Sequence, residues 1–228
     1  SLAPQGQREP EQDAENNRLA QAMRLFDWRV RNIALVDDVE VEQRPEMLFP
    51  WQTMLIGQGT GIERAWVFQL LARQRGLNVV MLAYRDQDNE SQWHDWAPAL
   101  FVEAKGEDPK RSAKFFVFEP NLGIPIPGPE GKPAATLAEL REDDGLLRQL
   151  DIDGEPYPVT STMLEHVAAL IEASPGYLAG RERQLEFNLT GDQKMVLHVD
   201  ASSLAEQLQA TGRFDEVGLW SVPFEALA

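Results

Sequence analysis

Gly59-Thr-Gly-Ile-Glu-Arg-Ala-Trp-Val-Phe-Gln-Leu-Leu-Ala-Arg-Gln-Arg-Gly-Leu77 is the stretch whose reading decides the fold. Gly57, Gly59 and Gly61 open it. Ala65, Trp66, Val67, Phe68, Leu70, Leu71 and Ala72 then leave little polar surface on any face. A segment that is apolar nearly all round is a buried helix, which predicts a central one over Ile62–Arg75. Gly76 suits its end, having no Cβ to oppose a left-handed cap.

Upstream, Leu19, Ala22, Met23, Phe26 and Val30 recur at three- and four-residue steps, the period of an amphipathic helix over Asp13–Asn32. The acidic run Val36–Gln43 and the prolines at 45 and 50 read as connecting loop. Downstream, Leu77–Tyr84, Ala99–Ala104 and Lys114–Phe118 read as strands. Polar Arg85–Pro98 reads as a tryptophan-bearing loop between the first two, and Gly106–Pro109 as a turn before the third. A helix followed by three antiparallel strands predicts an α+β fold.

Past Glu119 the texture changes. Asn121–Pro133 is rich in proline and glycine and reads as extended. Thr136 with Glu139 and Thr162 with Glu165 match capping boxes, and Ser174-Pro175 matches an N-cap with a first-turn proline. Thr162 would place His166 in a helix. Strands are expected at Met195–Val199, which contains His198, and at Val217–Val222, with a helix from about Ser203 between them. The organisation expected is a flexible leader over 1–12, a core over 13–132 and an acidic helix/strand lobe over 133–228.

Composition bounds the chemistry. The 228 residues carry 21 Lys plus Arg against 37 Asp plus Glu, a net charge of −16. Residues 133–228 hold 17 of the acids and 6 of the bases. Such a surface repels phosphate backbones and anionic lipid, so nucleic acid is not the expected partner. Cysteine is absent, which removes disulfides, thiolate metal sites and thiol nucleophiles together. No transmembrane run is present. The chain opens on Ser1, which fits a piece of a longer protein; an envelope or secreted setting is the expectation that goes with it.

The helix and what flanks it resemble the transglutaminase-like superfamily over about Leu19–Pro120. Gly59, Ala65, Arg73 and Gly76 stand where that family has a glycine two before its catalytic Cys, an alanine four after it, and an Arg-x-x-Gly at the helix end. Ala99–Glu103 resembles the strand that opens on the catalytic His. Phe116-Val-Phe-Glu119-Pro120 resembles the strand that ends in the catalytic acid followed by Pro. The resemblance implies an α+β papain-like core whose triad positions read Gly61, Ala99 and Glu119. Glycine supplies no nucleophile and alanine no base. A catalytically inactive domain follows, with no cofactor and no metal, binding a protein or peptide partner in its cleft. Trp66, Trp93, His94, Trp96 and Glu119 are the residues expected to line that cleft.

The alternative is a hydrolase working through carboxylates or an imidazole in the same cleft, with Glu63, Glu119 and His94 as its residues. A shifted alignment makes His94 the base; Thr60 and Ser91 are the hydroxyls nearby. His166 and His198 read as packing residues. Glu142–Asp144 and Asp151–Glu155 have the density of calcium loops, yet the second lacks the later bidentate Glu.

Overall fold

The computed structural model describes residues 10–36, 47–86, 89–103, 112–152 and 154–227. The leader up to residue 9, most of the acidic 36–43 loop and the Gly106–Pro109 turn fall outside those residues. The fold is α+β, as the pattern predicts, with a six-stranded, mostly antiparallel sheet.

The amphipathic helix is α1 (Pro10–Asn32), which begins inside the expected leader. A short parallel pair, β1 (Ala34–Leu35) and β2 (Gln58–Gly59), brackets α2 (Pro50–Ile56). Only its first residue, Pro50, falls in the stretch read as loop, and Trp51–Ile56 carries no sequence expectation. Its proline sits in the first turn, where a missing N–H costs nothing, and the Gln52 side chain accepts from Phe49 N at 2.8 Å.

The central helix is α3 (Gly61–Gln74). Thr60 caps it: Glu63 N donates to Thr60 Oγ1 at 3.2 Å and Thr60 N donates to Glu63 Oε2 at 2.9 Å. Gly76 ends it in the left-handed conformation, with φ +67°. Nine of its residues are buried, from Gly61 to Ala72, because helices and sheet surround it.

The sheet is built from β3 (Asn78–Asp86), β4 (Asn89–Val102), β5 (Lys114–Glu119), β6 (Ile124–Pro125), β7 (Val167–Ile171) and β8 (Glu216–Leu219), in the order β6-β5-β4-β3-β7-β8. Val80 pairs with Ala99 and Leu82 with Ala97, but Ala83 pairs with Asp95, so Trp96 is the extra residue of a bulge. Pro98, which has no N–H to give, sits beside this irregularity. The stretch expected as the tryptophan loop therefore supplies the end of β3 and Asn89–Pro98 of β4. Residues beyond Pro133 supply β7 and β8 to this same sheet, and β8 runs parallel to β7.

Each sheet face has its own core. On one, Phe26 of α1, Phe68 of α3 and Phe118 of β5 meet with ring centroids 5.0–5.2 Å apart. On the other, Ala99, Val117 and Ala169 lie under Leu137 and Leu140 of α4 (Leu137–Glu142) and Leu147 of α5 (Asp144–Arg148). The Thr136–Glu139 capping box forms at the start of α4. Next along the chain come α6 (Gly180–Glu186), α7 (Ala201–Ala210) and α8 (Val222–Glu225).

Three local expectations give way to tertiary pairing. Thr162 caps no α-helix; a 3-10 turn over Met163–Glu165 leads straight into β7, because Val167–Ile171 is needed in the sheet interior. His166 is thus exposed ahead of a strand, its Nδ1 2.7 Å from Asp215 Oδ2. Ser174 makes no side-chain cap. Residues 195–199 form no strand; their backbone is held by Gln74 and Glu186 side chains instead.

Glu172, just past β7, is fully buried and joins the sheet to α3. It accepts from Trp66 Nε1 at 3.1 Å and pairs with Arg73 Nη2 at 2.5 Å. Removing one partner of such a pair strands the other charge. Glu172→Ala is expected to lower unfolding free energy by about 3–5 kcal/mol in urea denaturation. A loss below about 1 kcal/mol would mean that Arg73 reaches water unaided.

Candidate functional site

β5 stops at Glu119 while β4 runs on past it, so the sheet opens into a cleft at this end. Asp95 and Trp96 form one wall, the corner Glu119–Leu122 the second, and Leu150, Ile152 and residues 155–159 the third. The cavity is about 350 Å³.

The corner is fixed from below. Arg29 of α1 and Arg64 of α3 both donate to the carbonyl oxygen of Pro120, at 3.3 and 3.2 Å. Both guanidiniums are buried. Burial lowers Arg29 to about 9; nearby Arg64 adds to the fall and Glu119 opposes it. The Glu119 carboxyl accepts from Leu122 N and, at 3.4 Å, from Asn121 Nδ2. Burial still lifts it above the usual carboxylate range, against those hydrogen bonds and Arg29.

Across the cleft, Asp95 Oδ2 accepts from Trp220 Nε1 at 2.7 Å. Burial raises this carboxyl as well, with Glu225 adding to the rise, while Trp220 and His94 oppose it. Trp96 Nε1 donates to the Tyr157 hydroxyl at 2.8 Å. Burial and the Glu119 charge push that phenol up. The cleft therefore carries two reluctant carboxyls among aromatic and proline side chains.

Gly61 opens α3 beside this corner. A Cβ built on Gly61 would lie 2.0 Å from Asn121 Oδ1. Asn121 thus fills the room that any larger side chain at position 61 needs.

Of the residues singled out in the sequence, Trp96 and Glu119 line the cleft. Ala99 does not: it is buried against Val117 on the sheet face away from α3. Trp66 is buried in the core, edge-on to Trp220 at 6.2 Å. Trp93 donates to Glu216 Oε2 at 2.8 Å and lies under Arg85. His94 stacks on Tyr84 at 5.7 Å. Neighbouring Asp95 points to the opposite face, as alternation along a strand requires. Glu63 spends its carboxylate on Thr60 N and, at 2.6 Å, on Leu48 N. Glu63, His94 and Glu119 do not converge. Thr60 is the helix cap, and the side chain of Ser91 lies outside the described residues.

Asp151 accepts from Tyr157 N at 2.7 Å, so its carboxylate shapes a turn. Among the described residues no three His, Asp or Glu side chains gather as a metal ion would need. Tyr84 and Tyr157 line the cleft without a site role in the sequence reading. Asp95 and Asn121 each adjoin or open a stretch that reading named, whereas Tyr157 arrives from 61 residues beyond Trp96 with no local signal. Comparison with protein-family models, curated proteins and solved structures finds no match to this chain.

A carboxyl raised on folding keeps its proton in the native state where the unfolded chain has lost it. Its contribution therefore falls as pH climbs from about 4. Asp95→Asn removes that titration and keeps an acceptor for Trp220. The variant's stability relative to wild type should rise between about pH 4 and pH 7, measured by urea unfolding at each pH. A difference that stays flat would show that Asp95 titrates normally.

Gly61→Ala forces Asn121 aside and should cost about 1–3 kcal/mol. In an Asn121→Ala background the same change should cost less, by at least about 0.5 kcal/mol in a double-mutant cycle. Equal costs would mean that Asn121 does not occupy that space.

Proposed function

We propose that this chain is a catalytically inactive transglutaminase-like domain that binds a partner protein through the cleft at Glu119. The observation that carries the reading is the substitution of function at one point: Gly61 opens the central helix with no side chain, and Asn121 fills the space a nucleophile would use. The resemblance of Gly59–Leu77, and the Glu119-Pro120 corner beside the start of α3, support the family. The missing cysteine supports inactivity.

Chemistry names the partner. Two carboxyls, buried Glu119 and half-buried Asp95, sit with Tyr84, Trp96 and Tyr157. Aromatic faces and carboxylates together suit a Lys or Arg side chain on an extended peptide. A cation entering the cleft would draw both carboxyls into their ionised form, so binding should release protons and strengthen as pH rises.

Calorimetry with a short Lys/Arg-bearing peptide, in buffers of different ionisation enthalpy, tests this. Micromolar binding with proton release is expected, at least about tenfold weaker in Asp95→Asn/Glu119→Gln and absent for the Glu-substituted peptide. Equal binding of both peptides would sink the proposal. The second reading is a carboxyl-based hydrolase, which the raised Glu119 and Asp95 carboxyls favour. Turnover of a glycoside, ester or amide, abolished by Glu119→Gln, would establish it in place of the first.

A further inference from the structure

A second cavity, of about 280 Å³, lies between the C-terminal half of α3, the start of β3 and residues 196–207. It shares no lining residue with the cleft. Gln69 of α3 lines it and is 2% exposed, yet neither its Oε1 nor its Nε2 has a hydrogen-bond partner among the described residues. One turn later, on the same helix face, Arg73 gives Nη2 to Glu172 and leaves Nη1 buried without a hydrogen-bond partner among the described residues. A buried carboxamide with both ends unpaired is costly to keep unless something pairs it.

The same helix shows what satisfies such a group. Gln74 Nε2 donates to Val196 O at 2.8 Å, and Gln74 Oε1 accepts from Val196 N at 2.9 Å. One glutamine carboxamide thus reads a donor and an acceptor side by side, the N–H and C=O of one residue.

The geometry points to this cavity as a binding site for a small amide whose C=O and N–H lie along one edge, a primary carboxamide or a lactam. The ligand N–H donates to Gln69 Oε1. Its oxygen accepts from Gln69 Nε2 and from Arg73 Nη1. Leu77, Val79 and Ile171 supply apolar walls for the rest of the molecule.

δ-Valerolactam and δ-valerolactone differ at the edge in question: the lactone keeps the ring and the carbonyl and replaces the N–H with oxygen. Amide-resolved NMR titration of the whole chain with each should give saturable shifts at the Gln69 side chain, Leu77 and Val79. The lactam should bind at least about tenfold more tightly, since a site built to pair an N–H rejects the analogue without it. Gln69→Leu should reduce the lactam to the lactone's level. Ser203→Trp, which keeps Gln69 and places an indole on the α7 wall, should abolish both. No saturable shift, equal affinity for the two rings, or lactam binding that survives Gln69→Leu would overturn the assignment, leaving Gln69 as a partner of water only. If Gln69→Leu does not fold, the lactam/lactone ratio and Ser203→Trp decide.

Discussion

Arg29 and Arg64 converge on one carbonyl oxygen, that of Pro120, and the arrangement of the molecule depends on that meeting. The two guanidiniums come from α1 and α3, and the oxygen from the turn that ends β5, so a single acceptor ties two helices to the sheet. Two buried like charges repel, and burial lowers both arginines. Glu119 opposes that fall in each, which is why a carboxyl belongs at the end of β5. Phe26 adds its ring face 4.0 Å from the Arg29 guanidinium. The corner is held rigid by the same charges that raise its cost, and the cleft inherits its shape from the corner.

The helical layer over the sheet was legible in the sequence because its apolar residues are dense and local. Seven apolar residues between Ala65 and Ala72 declare a central helix and Gly76 marks its end, whereas the Thr60–Glu63 capping box at its start emerges only in the structure. Phe26 and its periodic neighbours announce the helix that covers it. Legibility failed where polar residues are satisfied by distant partners. Trp93, Asp95 and Trp96 look like loop because their partners, Glu216, Trp220 and Tyr157, are 61 to 125 residues away. The capping pattern at Thr162 is locally sound, but the sheet's demand for Val167–Ile171 overrides it.

The candidate site was half legible for the same reason. Glu119-Pro120 and Gly61 can be picked out as a strand end and a helix start. That Asn121 bridges them is a matter of side-chain placement. Parity along β4 decides which residue faces the opening, and the bulge at Trp96 resets it. Counting from Ala99 alone therefore leads to the wrong face, whereas Asp95 reaches the cleft.

The strand order carries a consequence for synthesis. β3, β4 and β5 are joined in sequence and can pair as soon as residue 119 exists, each contact being local. β7, which covers the far edge of β3 at Met81–Tyr84, is made about 80 residues later. Until then a nascent or truncated chain presents Met81, Leu82 and Ala83 as an open apolar edge, the kind of surface that recruits another strand. The chain past Pro133, with 17 acids against 6 bases, is what closes that edge, so the acidic tail and the sheet's protection arrive together.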